Sequence, residues 1–197
     1  MKRLLSTLGF LIATGVPAFA HVGPHAGLGA TESFAAGIAH PLSGLDHITV
    51  MVAVGLWAAL KGGRALWVWP AAFVGVMLVG GALGMEHIDL PFVEPAILAS
   101  VVALGLLVAL AVDLPVAVGA VIIGAFALFH GHAHGAEVGD DIGGLEYMAG
   151  FAIATAALHA AGIGFALVAA RNSLRPLVRV AGAVCVLIGA GLIGGVL

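Results

Sequence analysis

Apolar residues run along this chain in long unbroken stretches, without alternation and without narrow stripes. Past residue 20 there are six such stretches, at 32–60, 65–84, 92–111, 114–135, 146–170 and 176–197. A helix needs about 20 residues to cross roughly 30 Å of hydrocarbon. Only helices satisfy every backbone group within one such segment, and a membrane barrel would alternate over about ten residues. The pattern predicts an all-α, polytopic membrane bundle of six transmembrane helices. Short loops at 61–64, 85–91, 112–113, 136–145 and 171–175 join them.

The first twenty residues have a different design. Lys2 and Arg3 precede a short apolar core at 4–16, and Ala18-Phe19-Ala20 follows as a small-x-small site. This reads as a cleaved secretory signal over 1–20. It leaves a six-helix transmembrane domain over 21–197.

Composition supports the membrane reading. The chain of 197 residues is 62% hydrophobic and 9% charged, and its mean hydropathy is +1.19. A soluble domain is about 25% charged. A water-soluble enzyme and a disordered regulator are excluded. So is a nucleic-acid binder, since 7 Lys and Arg stand against 10 Asp and Glu. Cys185 is the single cysteine, so there is no disulfide framework and no Cys-cluster metal site. Nine His remain, and polar groups in lipid are costly and usually functional.

The few charges sort by sign. Lys61, Arg64, Arg171, Arg175 and Arg179 gather at the first and fifth loops. Glu86, His87, Asp89, Glu137, Asp140, Asp141 and Glu146 occupy the second and fourth. The positive-inside rule places the basic loops in the cytoplasm. Six spans then put both mature termini outside a bacterial inner membrane, as the cleaved signal also requires.

Two polar clusters interrupt the apolar stretches. The first is His40-Pro41-Leu42-Ser43-Gly44-Leu45-Asp46-His47. His40 and His47 are two turns apart and would share a helix face. Pro41 kinks the helix and Gly44 permits further distortion, and a broken helix lining a cavity is a common ion site. The second cluster is Phe129-His130-Gly131-His132-Ala133-His134-Gly135-Ala136-Glu137. His130, His134 and Glu137 would project from one face of a continuing helix. His132 points away and reads as a secondary or entrance residue.

Weaker features stand alone. His159, deep in the fifth stretch, reads equally as a helix–helix hydrogen bonder or a step on a pathway. Glu94 reads as a carboxylate facing that pathway. Glu86-His87 would collect cations at the mouth or sit in a wet loop, and His21 with His25 would form a weak chelate.

The first stretch runs inward and the fourth outward, so both clusters reach the same level near the outer face. One divalent ion would there meet His40, Asp46, His47, His134 and Glu137. Mixed imidazole and carboxylate donors suit Ni(II), Co(II) or Zn(II), and the lack of thiolates argues against Cu(I). Several imidazoles argue against a Mg(II) or Ca(II) site. The metal would be cargo; no resident cofactor is expected, and no nucleotide-binding loop is present.

These motifs resemble the HupE/UreJ family of nickel and cobalt permeases. His40, Asp46 and His47 match the family's His-x5-Asp-His. Residues 129–137 fill its Phe-His-Gly-x-Ala/Val-His-Gly-x-Glu. The resemblance covers the whole chain and implies bacterial uptake of Ni(II), and of Co(II), for metalloenzymes. Two other classes use the same residues: a metal-binding accessory or sensor protein without flux, and an intramembrane metal-dependent enzyme. His-Glu-x-x-His is absent, which disfavours a zinc hydrolase.

Overall fold

A computed structural model describes residues 29–139 and 143–197. The expected signal at 1–20, His21, His25, Asp140 and Asp141 lie outside the described residues. Seven helices follow in order: α1 (Ala30–Ala39), α2 (Leu45–Lys61), α3 (Ala65–Met85), α4 (Val93–Ala109), α5 (Val116–Ala136), α6 (Gly144–Arg171) and α7 (Arg175–Ile193). No strand occurs among the described residues. Large apolar side chains point outward, with Val121 71% and Leu187 70% exposed. A helix apolar all round belongs in lipid, and the chain is a multi-pass membrane protein.

The first apolar stretch is not one helix. A 3-10 turn at His40–Leu42 separates α1 from α2, and the two are bent by 79°. Pro41 has no N–H to donate one turn back, and Gly44, in extended conformation, opens α2 as its N-cap. The expected shared face of His40 and His47 therefore does not exist, because it needed an unbroken helix.

By length and composition, five of the six expected spans are supported. α3, α5, α6 and α7 are long and apolar enough to cross a membrane, and the bent α1–α2 pair makes a fifth. α4 has 17 residues. At 1.5 Å per residue it covers roughly 25 Å, short of about 30 Å of hydrocarbon.

Glycines set the closest helix contacts. Cβ atoms at Gly80 and Gly84 of α3 would strike the backbone of Leu128 and His132 on α5. Those at Gly131 and Gly135 of α5 would strike Met77 and Gly81 on α3. Such near-contact of backbones is how small residues join helices in lipid. It also fixes the height of the His-rich segment, which belongs to α5. Gly55 of α2 and Gly162 of α6 lock in the same way.

The end of the bundle away from His40 carries the basic residues. Trp57 and Trp69 pack at 4.2 Å between ring centroids, both fully buried. Their indole N–H groups donate to the carbonyls of Val112 and Val116, each at 2.8 Å. Lys61 pairs with Asp113, and Arg179 Nε donates to the Ala109 carbonyl at 2.8 Å. Four side chains from three helices thus fasten the α4–α5 connection.

Candidate metal site

The site forms where three chain ends meet: the 3-10 turn after α1, the start of α2 and the end of α5. A cleft of about 180 Å³ opens there. His40, Asp46, His47, Glu94, His134 and Glu137 line it.

Asp46 lies in the first turn of α2, where the helix dipole favours a carboxylate. Its Oδ1 accepts from the His47 backbone N–H at 2.9 Å and from His47 Nδ1 at 2.7 Å. A Cβ on Gly44 would fall 2.7 Å from both Asp46 Oδ1 and His47 Nδ1. Gly44 thus leaves the space in which this pair closes. Because a carboxylate accepts, Nδ1 of His47 carries the ring proton and Nε2 holds a lone pair.

That lone pair faces another imidazole. His47 Nε2 and His134 Nε2 stand 2.5 Å apart. Glu137 Oε2 lies 3.5 Å from His134 Nδ1 and 3.2 Å from His40 Nε2. Nδ1 of His134, although Glu137 stands beside it, makes no hydrogen bond. With His47 protonated on Nδ1, one proton on His134 Nε2 joins the two rings, and a metal ion between them would take that proton's place. His134 is 3% exposed, so the contact is closed to water.

His40 completes the group. One nitrogen each of His40 and His134 and one oxygen of Glu137 lie within 4.8 Å of one another. The His40 and His134 rings meet edge-on at 4.6 Å. Phe151 packs on His134 at 4.4 Å and Tyr147 on His40 at 5.9 Å. These aromatic contacts fix the ring planes from α6.

Glu137 is the C-cap residue just past α5. Imidazole neighbours His134, then His40, hold its carboxyl below the usual carboxylate range, against the pull of partial burial. It is an anion at any physiological pH. The negative end of the α5 dipole points to the same place and also favours a cation.

The expected residues divide into groups. His40, His47, His134 and Glu137 come together, reached through the bend and not through a shared helix face. Asp46 lines the cleft and orients His47 through Oδ1. Glu94 lines the cleft, as expected for a carboxylate facing the pathway.

His130 lies one turn deeper on α5, edge-on to His47 at 5.0 Å. The helix continues unbroken through the Gly131 and Gly135 positions. His132 is not part of the group. Its Nε2 donates to the Ile88 carbonyl at 2.7 Å, tying α5 to the α3–α4 connection. His159 is also apart from the cleft, buried against Phe73 at 5.1 Å.

Sequence reasoning passed over Ser100, whose hydroxyl reaches His130. The available signal was its isolation: Ser100 is the sole hydroxyl residue between Val93 and Ala109.

Residues 8–192 match the family model described as HupE / UreJ protein. A curated relative, "Protein HupE" from Rhizobium leguminosarum bv. viciae, is 49% identical over 194 residues. The match covers 98% of this chain and 98% of the relative. No solved structure matches. The chain belongs to the HupE/UreJ family, a nickel/cobalt transport-associated family of transporters and not of enzymes.

Proposed function

We propose that this protein is a permease that takes up a divalent transition metal ion, Ni(II) foremost and Co(II) as well. His47 and His134 supply facing Nε2 donors, and His40 and Glu137 supply further donors on the Nδ1 side of His134. One observation carries the reading: two imidazole Nε2 atoms face each other in a buried site, each with a carboxylate beside its Nδ1. A carboxylate behind a ligating His is a recurring support for metal sites, fixing tautomer and ring orientation.

To share one ion at bonds of about 2.0–2.1 Å in tetrahedral geometry, the nitrogens would stand about 3.3 Å apart. Parting the rings by under about 1 Å reaches that spacing. Imidazole and carboxylate donors without thiolate suit Ni(II), Co(II) and Zn(II) by donor type.

The ion would arrive from the outer side. All five described basic residues, Lys61, Arg64, Arg171, Arg175 and Arg179, gather at the ends of helices away from the cleft. The positive-inside rule makes that end cytoplasmic. Glu94, beside the cleft, would help to collect the hydrated cation. Passage inward would run past His130 toward His159.

The test is metal uptake by cells at sub-micromolar Ni(II). His47→Ala and His134→Ala are expected to fall to the level of cells lacking the protein, at equal expression. Wild-type uptake by both variants would sink the site.

A further inference from the structure

One imidazole on the inward side of the cleft is held by a residue that neither sequence motif contains. His130 is fully buried, and its Nε2 lies 2.9 Å from the hydroxyl of Ser100, also fully buried. A serine hydroxyl has one proton to give. Ser100 gives it to the Ile97 carbonyl, 2.5 Å away. Without that proton, two oxygen lone pairs would oppose each other at that distance.

Toward His130, Ser100 can therefore only accept. The ring proton of His130 sits on Nε2, and Nδ1 holds a lone pair. Nδ1 is buried and has no hydrogen-bond partner. Buried acceptors of this kind are rare and call for an explanation. The ring is wired in the opposite sense to His47, where Asp46 takes the Nδ1 proton and frees Nε2. His130 stands edge-on to His47 at 5.0 Å, one turn deeper on α5 than His134.

We propose that Ser100 is a positioning residue for metal transfer. By accepting the Nε2 proton from α4, it fixes His130 in the tautomer whose Nδ1 lone pair receives the ion from the outer His pair. This rests on the transport reading above. Partners of this kind, one shell removed from the metal, typically change affinity or activity about 10–100-fold when lost.

The experiment has two arms. In protein carrying 15N-labelled histidine, proton–nitrogen correlation spectra without metal distinguish the two ring tautomers, and His130→Gln identifies the His130 signals. Wild type is expected to show His130 with Nε2 protonated. Ser100→Ala is expected to show a mixture, and Ser100→Thr, which keeps the hydroxyl, the wild-type form.

In Ni(II) uptake, Ser100→Ala is expected to lose about tenfold in maximal rate while the half-saturating concentration moves less than about twofold. Ser100→Thr is expected to restore the rate. A wild-type His130 protonated on Nδ1 overturns the proposal whether or not the variants fold. So does wild-type uptake by Ser100→Ala while His134→Ala, measured alongside, is inactive. Wild-type uptake by His134→Ala would instead bring down the transport reading, and the transfer role of Ser100 with it.

Discussion

The two ends of the bundle satisfy their polar groups in opposite ways. At the basic end, Trp57, Trp69, Lys61 and Arg179 each reach a partner on the α4–α5 connection. At the cleft end and in the middle, imidazole nitrogens of His130, His132, His134 and His159 are buried without a partner. A buried polar atom left unpaired costs about 1–3 kcal/mol. At His134, which stands beside Glu137, a bound cation would repay that cost. The paired indoles and ion pair at the other end brace the α4–α5 connection.

Breaking the cleft end should have the largest effects. Asp46→Asn keeps the size of the side chain but removes the charge behind His47. Metal affinity is expected to fall about 10–100-fold, read as a shift in half-saturating Ni(II). An unchanged half-saturation would make Asp46 a mere helix-start residue.

Acid should act on the same end. Metal binding needs neutral imidazoles, so protons compete with the ion, and affinity falls as pH falls. Glu137 is held below the usual carboxylate range and stays charged throughout, so the loss traces to the histidines. Ni(II) affinity measured against pH is therefore expected to decline once the medium is acid enough to protonate the imidazole donors. Affinity that survives protonation of the histidines would contradict imidazole ligation.

Gly131→Ala probes the frame instead of the chemistry. The new methyl would meet the Met77 backbone of α3, and overpacking of this kind costs about 1–3 kcal/mol. A lower unfolding temperature in detergent should accompany reduced uptake. Uptake lost at unchanged stability would mean that Gly131 acts in the site itself.

At the basic end, Lys61→Ala should do least. Asp113 is 78% exposed in this pair, and exposed ion pairs contribute about 0–1 kcal/mol. Half-saturating Ni(II) should not move. A shift comparable to that of Asp46→Asn would erase the distinction between the two ends.

Much of this was legible in the sequence, for identifiable reasons. Long apolar runs announce membrane helices because the hydrocarbon core demands length. The pairing of the first and fourth stretches followed from their opposed directions and the heights of their His clusters. Gly80, Gly84, Gly131 and Gly135 mark where α3 and α5 touch, but small residues four apart do not by themselves name the partner helix.

What could not be read depends on contacts distant in sequence. The 79° bend replaces the helical phase of His40 and His47 with a geometry that no spacing rule gives. The partner of His132, the Ile88 carbonyl, belongs to a connection 44 residues earlier. Residue type alone marks Asp46 as a candidate ligand. Its 2.7 Å bond to His47 Nδ1 adds the role of orienting that ring, which no spacing rule gives.

The central claim is that the His40, His47, His134 and Glu137 cleft loads an ion that then crosses the bilayer. Purified protein in liposomes, with a metal-sensitive dye trapped inside, tests it most directly. Wild type should admit Ni(II) in a saturable manner, and His134→Ala should not. Binding of Ni(II) to the wild-type protein with no rise in internal dye signal would contradict the account and make this chain a metal-binding protein without flux.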